Sequence, residues 1–260
     1  MAVEEAAEQD GGPRIFERLD RWFSESLDRA IEGAREVTVL FSGGVDSALV
    51  ATALRGRIPI TLFAWGLVGS RDLETAGSSA RLLGLPVTRT LCDLARFERL
   101  AHEIAPKIPE LPEPSRSVQL AMAMAVREAV GDPLVTGQGA DELFGGYAHF
   151  RGLSREAAGA RRQADLRRLL EVDWPLSRRI ADGFGRSVRS PFLEEPFLSN
   201  AASVPLSAVP PNGPTKPLLR AWAVRRGIPR EIAERPKLAM QYGTGVARAR
   251  RRGDRPTAPP

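Results

Sequence analysis

From Val37 to Leu54 the chain passes from an apolar run, Val37 to Phe41, through Ser42, Gly43, Gly44, Val45, Asp46 and Ser47, into the apolar stretch Ala48 to Leu54. A short apolar run bounded by small residues reads as a buried strand, and the stretch beyond as a helix beginning at the aspartate. Serine and glycine let the connection fold tightly, so that backbone N–H groups and a helix N-terminus aim at one point. Such a point suits an anion of pyrophosphate size. This is not the common phosphate loop, because no lysine follows the glycines and the spacing is too short. The anion would then lie at the carboxyl edge of a parallel sheet.

The remaining pattern supplies that sheet. Ile15, Leu19, Trp22, Phe23 and Leu27 recur at helical spacing between about Pro13 and Gly33. Ile58 to Trp65 reads as a second strand, Asp72 to Leu83 as a helix closed by Gly84, and Val87 to Leu91 as a third strand. Another helix begins near Asp93. Pro106, Pro109, Pro112 and Pro114 make the next stretch irregular. Ser117 to Val130 reads as a buried helix and Pro133 to Thr136 as a fourth strand. The alternation predicts an α/β fold with a doubly wound parallel sheet. Beyond Arg155 the pattern is helical, with no strand. The expected division is an N-terminal tail over 1–12, one domain over 13–247, and a basic, proline-rich tail over 248–260.

Composition narrows the function. At 260 residues the chain can bury a substantial core. No stretch reaches the roughly 18 apolar residues of a membrane span, and residues 1–12 lack the features of a secretory signal. One cysteine, Cys92, excludes an internal disulfide or a multi-cysteine metal site, and two histidines are too few for a histidine-based one. A cytoplasmic protein with no membrane partner is expected. The net charge of +5 suits nucleic acid, but only Lys107, Lys216 and Lys237 are lysines, leaving 37 − 3 = 34 arginines. That skew reads as a compositional bias. The run Arg248, Arg250, Arg251, Arg252 and Arg255 reads as a solvated tail, and a nucleic-acid partner is not expected.

A second informative segment is Thr136 to Tyr147, with glycines at 137 and 139 and Asp141 and Glu142 opening a helix. Either acidic residue alone reads as a helix cap. On two loops that converge at one sheet edge, Asp46 and Asp141 become candidate Mg²⁺ ligands, since that cation takes one or two carboxylates plus phosphate oxygens.

The segment Ser42 to Ser47 resembles the pyrophosphate loop of the ATP pyrophosphatases, which cleave ATP between its α and β phosphates. Taken with Gly137 to Tyr147, it resembles the synthetase domain of the asparagine synthetases, a family that includes the beta-lactam synthetases. Phe63 to Leu67 with Asp72 and Leu73, Arg189 to Leu193, Lys216 to Arg220, Ile228 with Pro229, and Arg235 to Lys237 continue the likeness in order, from about Phe16 to Val246.

The resemblance implies an α/β domain of the ATP pyrophosphatase type with a helical C-terminal part. It implies an ATP- and Mg²⁺-dependent ligase that adenylates a carboxylate, the aspartate side chain in the leading reading, and transfers ammonia. Ser42, Gly43, Gly44, Asp46 and Ser47 would hold pyrophosphate. Phe41 and Trp65 would border adenine and ribose, with Thr136 and Gly137 adding backbone contacts. Asp46 and Asp141 would hold the metal, and Lys237 would offset charge on the α-phosphate.

Two departures stand out. Gln138 replaces the family's usual Glu and cannot accept a proton as a carboxylate does, which makes Glu142 a candidate base. The stretch Glu113 to Val118 lacks the threonine-rich pattern of aspartate users, so another carboxylate, as in a beta-lactam synthetase, stays open, as does a non-catalytic nucleotide-binding role. The 36 residues before the first strand are too few for a glutaminase domain, so none is expected in this stretch. The expected nitrogen source is free ammonia, another amine or a separate glutaminase subunit, with a homo-oligomer also possible. Cys92 reads as a packed thiol.

Overall fold

A computed structural model describes residues 13–108, 115–236 and 240–253. The first half contains α1 (Pro13–Ala30), β1 (Val37–Leu40), α2 (Val45–Leu54), β2 (Ile60–Leu67), α3 (Arg71–Leu83), β3 (Val87–Cys92), α4 (Leu94–Ile104), α5 (Ser115–Glu128) and β4 (Leu134–Val135). There follow α6 (Ala140–Phe144), α7 (Arg155–Arg168), a π-helical turn (Leu169–Asp173), α8 (Trp174–Asp182), β5 (Val188–Arg189), α9 (Phe197–Ser203), α10 (Pro217–Arg225), α11 (Arg230–Ala233), α12 (Met240–Gly243) and α13 (Val246–Gly253).

The strands form one sheet in the order β3-β2-β1-β4-β5, every pairing parallel. The chain moves outward from β1 through β2 to β3, then returns to β4 on the other side. The order therefore reverses at β1, where a doubly wound sheet leaves a crevice beyond its carboxyl ends. The expected doubly wound parallel α/β fold with a helical C-terminal part is the one adopted.

A parallel sheet must be covered on both faces, and β2 shows how the sequence does it. Leu62 and Ala64 join the cluster beneath α1, α2 and α3, while Phe63, Trp65 and Leu67 face the cluster built by α5 and α8. Successive side chains point to opposite faces, so an apolar run serves both.

Helix α1 is tied to the C-terminal half by aromatic packing. Phe23 lies 4.9 Å from Phe192, 5.2 Å from Phe197 and 5.2 Å from Trp222, between ring centroids. The indole N–H of Trp222 donates to Asp20 at 2.8 Å. Buried Ser26 donates to the Glu194 carbonyl at 2.9 Å and accepts from the Phe197 amide at 3.0 Å. Ser26→Ala would leave both backbone groups buried without that partner, at a cost of about 1–3 kcal/mol in urea denaturation.

Two expectations fail. Strand β5 was not anticipated: it is two residues long, pairing Leu134 with Val188 and Val135 with Arg189, too short for any period to show. The stretch from Arg248, expected as a solvated tail, is helical to Gly253: Arg248 is exposed, but Ala249 is buried with Val246 in the cluster around α5.

Candidate active site

The loop after β1 is built as its residues dictate. The Ser47 hydroxyl donates to the Gly44 carbonyl at 3.0 Å and lies 3.4 Å from the Ser42 hydroxyl. The Gly44 amide donates to Ser42 Oγ at 3.4 Å. Gly43 sits at φ 77°, and a Cβ there would lie 2.6 Å from the Thr75 carbonyl oxygen, so only glycine fits both the turn and the neighbour. Its own carbonyl accepts from Ser79 at 2.8 Å and from Arg235 at 3.2 Å. Those two donors fix the loop from behind.

The loop after β4 comes to the same place. A Cβ on Gly137 would lie 2.8 Å from the Asp46 Cβ and 3.2 Å from the Ser47 amide nitrogen. The Thr136 amide donates to the Arg189 carbonyl at 2.9 Å, and the Gln138 amide to Thr136 Oγ1 at 3.3 Å. Asp141 follows in the first turn of α6.

The two aspartates meet at one cation. Lys216 Nζ lies 2.7 and 2.6 Å from the carboxylate oxygens of Asp46 and 2.9 Å from Asp141 Oδ1. The lysine is 1% exposed and takes φ 58°, the only positive φ of a non-glycine residue among those described. Burial alone would lower its pKa, but Asp141 and Asp46 outweigh it and hold the ammonium above its ordinary value. Arg220 braces the segment: its guanidinium donates to the Thr215 carbonyl at 2.6 Å and the Arg235 carbonyl at 2.9 Å. Lys216 entered the sequence reading only as part of a family pattern. Its signal was present nonetheless, as one of three lysines among 37 basic residues.

Other expected residues take varied places. Ser42 is exposed, Gly44 and Asp46 are half-buried, and Gly43 and Ser47 are buried. The side chains of Phe41 and Trp65, expected at the adenine and ribose, are 1% and 4% exposed and belong to the two core clusters. Any nucleotide contact from Phe41 falls to its backbone. Gln138 donates through Nε2 to Ser177 Oγ at 3.4 Å, and its carbonyl accepts from Ser190 at 2.6 Å. Glu142 is buried and accepts from the Tyr147 hydroxyl. Burial and the nearby Glu142 and Asp141 carboxylates push the Tyr147 pKa up, so it stays a donor. Cys92 is fully buried, and burial raises its pKa, as suits a packed thiol. Lys237 lies outside the described residues.

Asp46 and Asp141 fit a hard divalent cation: two carboxylates converge on one positive charge. Among the described residues no group of three or more His, Cys, Asp or Glu is assembled for a metal. Phosphate oxygens and water would complete the coordination, the usual arrangement for Mg²⁺.

Asp72, at the start of α3, carries a pH signature. Burial pushes its carboxyl from 3.8 up to about 7, opposed by Arg71. Gly243 packs so closely that a Cβ there would lie 2.0 Å from the carboxylate. Between those two pKa values the folded state holds more protons than the unfolded one. Stability is therefore expected to fall as pH rises from about 4 to about 7, and Asp72→Asn to flatten that slope in denaturation curves.

The chain is similar to proteins of one family along most of its length. The family model for asparagine synthase matches residues 18–171 and 153–255. A putative glutamine-hydrolysing asparagine synthetase of Methanocaldococcus jannaschii is 29% identical over 267 residues, covering 88% of this chain and 49% of the relative. The glutamine-hydrolysing asparagine synthetase of Bos taurus is 30% identical over 245 residues, covering 85% and 42%. The chain thus spans half or less of the length of these curated relatives. Among solved structures, NMN synthetase from Francisella tularensis is similar with a TM-score of 0.47 and 14% identity, over 90% of this chain and 78% of that one. No helix of the described residues is long and apolar enough to cross a membrane. The match runs along nearly the whole described chain and includes both glycine loops and the lysine between them: the chain belongs to the asparagine synthase family.

Proposed function

We propose that the chain is an ATP-dependent amide-forming ligase that adenylates a carboxylate, the aspartate side chain first among candidates, and passes the acyl group to ammonia. The observation that carries this reading is the convergence of Asp46 and Asp141, from two separate loops, on the ammonium of Lys216. A module that only bound a nucleotide would not need two carboxylates there.

In the first step a carboxylate oxygen attacks the α-phosphorus and pyrophosphate leaves. In the second, ammonia attacks the acyl carbon, the acyl–phosphate C–O bond breaks, and AMP leaves while the nitrogen gives up one proton to the departing phosphate or to water, giving the amide. The first step brings two anions together, and fixed positive charge and N–H donors offset that charge most where water is excluded. The loop amides with Ser42 and Ser47 would hold the departing pyrophosphate. Lys237 would serve the α-phosphate. Mg²⁺ held by Asp46 and Asp141 would neutralise charge on the pyrophosphate.

Gln138 can orient a substrate by hydrogen bonding but cannot act as a base. Glu142, occupied by Tyr147, is less open to that role than the sequence implied. Ammonia arriving as the neutral amine needs little base assistance. The nitrogen source would be free ammonia, another amine or a glutaminase, glutamine hydrolysis being part of the relatives' names. The departure at residues 113–118 favours a second reading, in which another carboxylic acid is adenylated.

The test is to quantify AMP and pyrophosphate with ATP, Mg²⁺, an ammonium salt and each of a panel of carboxylic acids. Equal yields of AMP, pyrophosphate and asparagine are expected with aspartate. Turnover with a different acid alone would select the second reading. Nucleotide binding without acid-dependent AMP from any of them would overturn the ligase assignment.

A further inference from the structure

We propose that Lys216 is a stand-in cation: in the nucleotide-free protein its ammonium fills the position between Asp46 and Asp141, so this pair accepts a divalent metal only together with a nucleotide. The inference rests on the ligase reading of the same site, and it adds an order of binding.

Three observations carry it. The ammonium touches both carboxylates, at 2.6 and 2.9 Å, so a second cation between the same oxygens would meet it at close range. Like charges at such separations repel, and the screening water reaches the two carboxylates, 23% and 24% exposed, but hardly the lysine side chain, 2% exposed. Its backbone adopts a left-handed conformation that residues with a Cβ rarely take, and such strain persists where the surroundings enforce it.

The surroundings here do so. Pro217 follows in the first turn of α10, Arg220 holds the carbonyl of Thr215, and Trp222 locks the helix into the aromatic core. The backbone is thereby fixed, so any movement of the ammonium must come from rotation of the four-carbon stem. A nucleotide brings phosphate oxygens, which give the ammonium a new partner when it leaves the carboxylates. The number of opposite-charge contacts is then preserved. Nucleotide and metal each raise the affinity for the other, as linkage requires.

Mn²⁺ serves as the probe, its uptake followed by the loss of the free-ion electron paramagnetic resonance signal beyond that caused by the nucleotide analogue without protein. Wild-type protein is expected to take up Mn²⁺ at this pair only when a non-hydrolysable ATP analogue is present. Lys216→Met is expected to bind Mn²⁺ without nucleotide at least about ten-fold more tightly than wild type, and to gain melting temperature with it. Lys216→Gln replaces it if the methionine variant fails to fold. Adding Asp141→Asn to either variant should abolish the gained uptake.

Equal nucleotide-free affinity in wild type and variant overturns the proposal, as does uptake that survives Asp141→Asn. Absence of Mn²⁺ uptake by wild type even with the analogue also overturns it. Acid-dependent AMP formation judges the ligase reading separately.

Discussion

Asp46→Ala is expected to abolish acid-dependent pyrophosphate release, lowering turnover by about 10²–10³-fold or more, the range seen when one group that stabilises developing charge is removed. The carboxylate sits where the two glycine loops meet, and it shares Lys216 with Asp141. Its removal takes away one of the two proposed metal ligands and leaves the lysine with Asp141 alone. A stability loss should accompany the activity loss, because a buried ammonium is left with one carboxylate in place of two. Breaking a buried pair outright costs about 3–5 kcal/mol, and the surviving Asp141 contact keeps the expected loss near the lower figure. Asp46→Asn preserves shape and separates charge from packing. Nucleotide binding by calorimetry, set beside pyrophosphate release, completes the measurement. Turnover near the wild-type level in Asp46→Asn would remove the metal role from this residue.

Gly137→Ala is expected to cost about 10²-fold in turnover while leaving most of the fold intact. The added methyl would lie 2.8 Å from the Asp46 Cβ, 3.1 Å from its carbonyl carbon and 3.2 Å from the Ser47 amide nitrogen. None of these is the far end of a flexible side chain. The two loops must therefore separate, and a displacement of about 1 Å in a reacting geometry is enough for a loss of that size. Overpacking of this kind costs about 1–3 kcal/mol in stability. Gly159→Ala, in helix α7 with nothing within 4 Å of its would-be Cβ, is the matched control. It should stabilise by up to about 1 kcal/mol, because alanine gives up less backbone freedom in a helix. Unchanged turnover in Gly137→Ala would mean that the loops do not depend on their contact.

Much of this was legible in the chain. The run from Val37 to Leu54 specified a strand, a tight turn and a helix through period, small residues and burial, all local properties. The same holds for Asp72 to Gly84, where Gly84 closes the helix at φ 61°, and for Asp93, whose side chain accepts from the Arg96 amide as a helix cap. Phe41 was harder. An aromatic residue at a strand end serves a ligand or a core equally well, and its 1% exposure shows which it joined. Glu142 posed the same problem: its place beside Asp141 implied a shared site, but neighbours in a helix point about 100° apart, and it pairs with Tyr147.

The sequence by itself determined the layered α/β fold, the loop that suits a pyrophosphate and the family, because spacing and residue size act over a few positions. Only the tertiary structure decided that Lys216, 170 positions from Asp46, meets both Asp46 and Asp141. It also decided that Arg220 and Arg235 brace the site from behind, with Arg235 on the Gly43 carbonyl. Ion pairs between distant residues leave no period in a chain. They exist because packing around Trp222 and the reversal of strand order beside β1 bring those residues to one edge, where burial makes the match of opposite charges compulsory.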